Sequence, residues 1–261
     1  MAESTLSLTY TDLLRSVAVL MGYDDDAVVA DASALATANG KECDRYVQDG
    51  YAQFLTPPRI QDERESYIWS FLTAYGSLSL TVAGGYDYDA PDDFGSLAEP
   101  MTYAPTSVVR GPELRDEGLI RNLRTQSAAT GQPTLMAVRV KAATLTGGQR
   151  WEFLFWPTPD ATYTLTYPYN VLAGELTATN LYPLGGSLHG RTIRQFARAK
   201  AELLGLRVSK GPEYEEAMSL LESSISADRR LAPARFRRDN ADGLDSFQRV
   251  SSVTYHGVWP T

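Results

Sequence analysis

The chain has 261 residues, 43% hydrophobic and 21% charged, with a net charge of −8; it can bury a core and is not a wholesale disordered polymer. A single cysteine, Cys43, excludes an internal disulfide and points to a reducing compartment, and two distant histidines, His189 and His256, leave no thiolate or imidazole zinc site. Residues 1–100 carry 17 Asp and Glu against 5 Lys and Arg, a balance of −12, while the remainder carries +4; such a chain lacks the dense cationic face that grips nucleic acid.

Residues 10–22, YTDLLRSVAVLMG, are predicted as a helix capped by Thr11, with Leu13, Leu14, Val17, Leu20 and Met21 as its apolar stripe and Gly22 at its exit. The segment before it has no basic start followed by an apolar stretch, so no signal peptide is expected. No apolar run approaches the roughly 20 residues of a membrane helix, and no membrane partner is expected. A longer helix opens near Asp25, whose carboxylate can cap it, and runs through Val28, Leu35, Cys43, Val47 and Tyr51 to Phe54, where Pro57-Pro58 stops it. Gly40 and Gly50 allow it to be two helices with a kink.

RESYIWSFL (64–72) is a dense aromatic anchor, helix or strand, and SLSLTV (77–82) alternates as a strand does. The acidic run YDYDAPDDF (86–94) invites a calcium reading, but a loop starting at Asp87 would need Gly at its sixth position and Glu at its twelfth. It offers Asp92 and Ala98. A solvated turn is the better reading.

GPELRDEGLIRNLRTQ (111–126) reads as a helical insertion. LMAVRVKAA (135–143) and RWEFLFW (150–156) flank TLTGGQ, whose Gly147-Gly148 pair suits a hairpin reversal. In RWEFLFW, Trp151, Phe153 and Phe155 alternate onto one face, as in a half-buried strand. Trp156-Pro157-Thr158-Pro159 then turns the chain into ATYTLTYPY (161–169), whose Pro168 marks an edge or an end. Most of these rings are expected in a core; a sugar-binding cleft is the competing reading.

After PLGGS (183–187), Ile193, Phe196, Ala197, Lys200, Ala201 and Leu204 make a helical stripe that exits at Gly205, with Ser187 as its cap. Ser187 and His189 do not form a G-x-S-x-G elbow, and neighbours two apart need a positioned third group to act as nucleophile and base. A second helix opens at Gly211-Pro212 with Glu213, Glu215 and Glu216 in its first turn, where carboxylates favour the macrodipole. Tyr214, Ala217, Met218, Leu221 and Ile225 supply its buried face. No phosphate-binding glycine motif occurs. No catalytic, cofactor or metal residue is expected, although paired carboxylates of a hydrolase cannot be recognised from sequence in a chain with 32 of them.

Residues 229–261 read as an extended arm. RRLAPARFRR places Arg229, Arg230, Arg235, Arg237 and Arg238 around Phe236, and RVSSVTYHGVW adds Val253, Tyr255, Val258 and Trp259. A merely solubilising tail has no use for those apolar residues, so the arm is read as a docking segment that adds a strand to a partner's sheet edge.

The series YAQFLTPP, YIWSFL, YDAPDDFG and GQRWEFLFWPTPDATYTLTYPY, followed by IRQFARAKAELLGL and EYEEAMSLLESSI, resembles the head-to-tail adaptor (head completion, or connector) proteins of tailed bacteriophages over about residues 10–230. The resemblance implies a structural virion protein made in the host cytoplasm and placed in the neck. About a dozen copies would form a ring under the portal protein, extend the DNA channel and offer a platform to a tail or nozzle protein. It also implies that residues 229–261 reach into the portal. An acidic lumen would let DNA slide without specific binding, and Asp24, Asp25, Asp26, Asp87, Asp89, Asp92 and Asp93 are its candidates. Trp156, Pro157 and Pro159 are candidates for the seam between neighbouring copies. The expected fold class is α+β. Helices of 1–62 and 184–228 would pack as one bundle, 63–183 would form a central antiparallel β domain, and 229–261 would be the arm. The alternative function is a carbohydrate- or receptor-binding β domain of a tail or surface structure.

Overall fold

The computed structural model describes residue 4 and residues 6–59, 67–82, 85–104, 110–144 and 148–231. The first helix, α1 (Tyr10–Met21), is capped by Thr9 rather than Thr11. Asp12 lies three residues after Thr9, and the two exchange bonds: Asp12 N–H donates to the Thr9 hydroxyl at 3.3 Å and Thr9 N–H to the Asp12 carboxylate at 2.9 Å. Gly22 closes the helix at φ 72°, a left-handed conformation that suits glycine.

The long predicted helix is two. Asp24, not Asp25, caps α2 (Asp25–Ala30), and Thr37 caps α3 (Ala38–Leu55). The break is built on Asp31, whose carboxylate accepts from Ala36 N–H at 2.8 Å, Thr37 N–H at 2.9 Å and the Thr37 hydroxyl at 2.6 Å. The Thr37 hydroxyl and these two amides hold its pKa below the ordinary range. Neither glycine makes the kink. A Cβ on Gly40 would strike the Asp31 carboxylate, and one on Gly50 would lie 2.5 Å from Ala197 Cα. Both mark close approach instead.

The other partner at Gly50 is α5 (Gly186–Leu204), followed by α6 (Pro212–Leu231). Gly185 at φ 110° precedes α5 without a side-chain cap, so Ser187 does not play that part. Leu13, Val17, Cys43, Val47, Phe54, Phe196 and Leu221 meet in one core. Tyr67, Trp69 and Leu176, which the sequence placed in the β domain, are buried in this helical core. Trp69 is fully buried and its indole N–H donates to the Phe54 carbonyl at 2.8 Å.

The β region contains β1 (Thr73–Leu80), β2 (Asp87–Asp89), β3 (Phe94–Leu97), β4 (Thr102–Tyr103) and β5 (Glu113–Leu114). Then follow α4 (Glu117–Gln126), β6 (Leu135–Thr144), β7 (Gly148–Trp156) and β8 (Tyr163–Val171). One sheet has the order β1-β8-β3, with β4 also on β8; the other has β2-β7-β6-β5. All pairs are antiparallel except β5 with β6, a departure from the all-antiparallel expectation.

Leu80, Phe94, Met136, Phe153, Phe155, Leu165, Tyr167 and Tyr169 fill the second core. Phe153 meets Tyr167 edge-on with ring centres 5.3 Å apart. Strand β7 is buried on both faces over residues 152–155 rather than half-buried. Its Leu154 packs with Ala137 under Ile120 of α4, so the inserted helix covers the face that alternation assigned to solvent.

Pro168 lies in the middle of β8, which has neighbours on both sides, not at an edge. Its carbonyl accepts from Ala98 N–H at 3.0 Å, so its nitrogen also faces that side. There the neighbour changes from β3, opposite residues 169–171, to β4, opposite residues 165–166. The missing donor falls in the gap between two partner strands and costs no ladder bond.

Candidate interaction surfaces

The described residues hold little that resembles reaction chemistry. Cys43 is fully buried, and burial pushes its thiol up to about 11, far from a reactive thiolate. Ser187 is exposed while His189, two residues on, is buried, so the pair does not meet. His189 instead sits among Phe54, Trp69 and Phe71, with ring centres at 5.9, 5.0 and 5.3 Å. Its Nδ1 is buried without a hydrogen-bond partner. Desolvation lowers its pKa, opposed by the Asp228 charge. Among the described residues, no three His, Cys, Asp or Glu side chains group to hold a metal.

Next to it, Asp228 joins α6 to the connection between the two cores. Its carboxylate accepts from the Tyr67 hydroxyl at 2.7 Å, Ser70 N–H at 2.9 Å and the Ser70 hydroxyl. Arg229 stacks its guanidinium 5.3 Å above the Tyr67 ring. Arg229 and Arg230, assigned by sequence to the arm, therefore lie in the last turn of α6, which runs to Leu231. Arg235, Phe236, Arg237, Arg238, Val253, Tyr255, Val258 and Trp259 lie outside the described residues.

The seven aspartates are far from a bare acidic field. Arg15 bridges Asp25 and Asp26 at 3.1 and 3.2 Å, and Asp24 is occupied as the α2 cap. Arg124 pairs with Asp87 at 2.9 Å, Lys141 with Asp89 at 2.6 Å and Arg150 with Asp92 at 3.5 Å. Asp93 accepts from the Tyr169 hydroxyl at 3.0 Å. Asp26 and Asp92 keep side chains 87% and 83% exposed despite their arginine partners, whereas the exposed Asp24 and Asp93 pair with no cation among the described residues. Arg15 apart, the pairing cations Arg124, Lys141 and Arg150 lie far along the chain from their aspartates, which is why counting sequence charge overstated the field.

Trp156 packs on Leu154, Ala137 and Ile120 at the edge of the α4 cluster, with its indole N–H buried and unpartnered. Pro157 is half-buried and Pro159 buried, so only part of this turn is open to a neighbour. The Trp156–Pro157 bond is cis.

Sequence reasoning missed three exposed apolar features. Leu203, Leu204, Leu206 and Val208 cluster in sequence around the α5–α6 connection. Leu172, Tyr182 and Leu184 line, with Tyr51 and Asp93, an open cleft of about 190 Å³ between β8 and α3. Tyr75, 84% exposed, stands on β1. A helical stripe drawn around Leu204 conceals that its far side is apolar too. The strand alternation of 73–80 does predict that Tyr75 faces outward. No helix among the described residues is long and apolar enough to cross a membrane.

The model of the SU10 adaptor protein family matches residues 8–238. No curated protein matches the chain.

Proposed function

We propose that this chain, which belongs to the SU10 adaptor protein family, forms a ring of about a dozen copies under the portal of a tailed phage. Membership makes it a structural adaptor of a bacteriophage virion, as the resemblance implied. The ring extends the DNA channel in the neck and carries the tail or nozzle protein on its far side. The observation that carries this reading is the extent of the match: residues 8–238 take in every described helix and strand, so both cores and the root of the arm belong to the adaptor unit.

The arm docks on the portal. Arg235, Arg237 and Arg238 supply charge near its root, and Val253, Tyr255, Val258 and Trp259 supply the apolar contacts of an added strand. Asp24 and Asp93, exposed and without a cation partner among the described residues, are the strongest candidates for a lumen that repels phosphate, over roughly 8 Å at physiological salt. The partly exposed Trp156 contributes to the seam between copies. The sugar-platform reading gains no support, because Phe153, Phe155, Tyr167 and Tyr169 are core residues.

The test is capture by the assembled portal of the same phage, comparing the full chain with Arg235→Glu/Arg237→Glu/Arg238→Glu and with Trp259→Ala/Tyr255→Ala. Capture of the full chain that both variants weaken is the expected result. Failure of the unaltered chain to bind an assembled portal would overturn the reading. Undiminished binding by both variants would overturn the arm's part in it.

A further inference from the structure

Among the described residues, strand β1 is an edge without the protections that edges normally carry. Residues 73–82, TAYGSLSLTV, contain no charge and no proline. The register with β8 runs unbroken from Thr73 opposite Asn170 to Leu80 opposite Tyr163. The carbonyls of Pro168 and Thr164 face away from β1, toward Ala98 and Ala104. The alternate residues Tyr163, Leu165, Tyr167 and Tyr169 therefore exchange bonds with β1. That leaves the N–H and C=O groups of Tyr75, Ser77 and Ser79 pointing to the open side. Among the described residues no strand pairs there. An uncharged edge of eight residues is a template for another strand.

The root of the arm lies near the start of this strand. Asp228 accepts from Ser70 N–H at 2.9 Å, three residues before β1 begins, and the described fold ends at an exposed Leu231. At ~3.3 Å per residue, residues 232–248 can span about 55 Å, well beyond the roughly 26 Å length of such a strand. The segment that follows, RVSSVTYH (249–256), has β-branched and aromatic residues and no proline. Val253 and Tyr255, two apart, would fall on one face and extend the inward row of Leu78 and Leu80.

We propose that in the free protein residues 249–256 of the same chain pair along the open edge of β1, as a fifth strand of the β1-β8-β3 sheet. A tether of this length holds the segment near the edge at an effective concentration of millimolar order. The pairing keeps the edge from joining other copies before assembly, and the portal competes for the same segment afterwards. The inference rests on the reading of the arm as a strand donor.

The test is hydrogen exchange of the β1 amides in the full-length chain, without portal, over a dilution series. Ser252→Pro and Val253→Pro are compared with it, so that one of them removes a ladder N–H whatever the register. An unchanged melting temperature shows the cores intact. The amides of Tyr75, Ser77 and Ser79 should exchange about tenfold more slowly in the unaltered chain than in at least one variant, at every dilution. Protection that fades on dilution would make a second copy the occupant and overturn the intramolecular pairing. Equal exchange in all three chains would overturn it altogether. Because no portal is present, either failure is distinct from a failure of portal capture.

Discussion

The Asp228 carboxylate accepts a hydrogen bond from the Ser70 backbone N–H at 2.9 Å, joining residues 158 apart in the chain. Through it the end of α6 is held against the entrance to β1, which ties the root of the arm to the first strand of the β region. Asp228→Ala would remove the buried carboxylate that accepts from the Tyr67 hydroxyl, Ser70 N–H and the Ser70 hydroxyl. The expected cost is about 3 kcal/mol, read from the urea midpoint at constant m-value. Asp228→Asn keeps an acceptor and should lose about half as much. Equal stability of Asp228→Ala and the unaltered chain would remove this bond from the account of the fold.

Gly50 supports the approach of α3 to α5, because a Cβ there would lie 2.5 Å from both Ala197 Cα and its nitrogen. Backbone cannot yield as a flexible side chain does. Gly50→Ala should destabilise by about 2 kcal/mol despite alanine's better helix propensity. Gly174→Ala meets nothing within 4 Å and is the control, expected within ~0.5 kcal/mol of the unaltered chain. Thermal melts of the two variants measured side by side make the comparison.

Protonation of His189 should weaken the fold. Burial among three aromatic rings depresses its folded pKa, against the opposing pull of Asp228. The unfolded chain then binds the proton more readily than the folded one, so stability rises with pH across this range. Its contribution is complete above the ordinary value of 6.5 and declines as pH falls from there toward the depressed folded value. Urea midpoints between about pH 7 and pH 5.5, before most carboxylates titrate, should fall in the unaltered chain and stay flatter in His189→Gln. Parallel profiles would show that His189 does not carry the dependence.

Arg124 and Arg15 both bridge aspartates, with different consequences. Arg124 pairs with Asp87, donates to the Tyr86 and Phe155 carbonyls at 3.0 and 3.1 Å, and stacks 3.8 Å above the Tyr86 ring centre. Arg124→Leu should cost about 2 kcal/mol and speed amide exchange throughout α4. Arg15 is half-exposed beside Asp25 and Asp26, where water and salt screen its pairs. Arg15→Ala should leave the melting temperature nearly unchanged. A larger loss from Arg15→Ala than from Arg124→Leu would reverse this assignment.

Local chemistry made much of the molecule legible in advance. The stripe and glycine exit of α1, the proline-led start of α6 and the β6–β7 hairpin follow from contacts within a few residues, so sequence order and spatial order coincide there. The same holds for the series of aromatic and proline motifs over about residues 10–230 that pointed to the adaptor family. Caps were misplaced by one or two positions, Thr11 for Thr9 and Asp25 for Asp24, where several adjacent side chains could perform the same task.

What only the tertiary structure decided rests on partners distant in the chain. Gly50 reads as a helix breaker until Ala197 is seen against it, and Pro168 reads as an edge until its nitrogen is found at the change from β3 to β4. The aspartates read as a field until Arg124, Lys141 and Arg150 are placed beside them. In each case the deciding energy is a steric or electrostatic contact between residues at least 37 positions apart, and periodicity, which compares neighbours, carries no record of it.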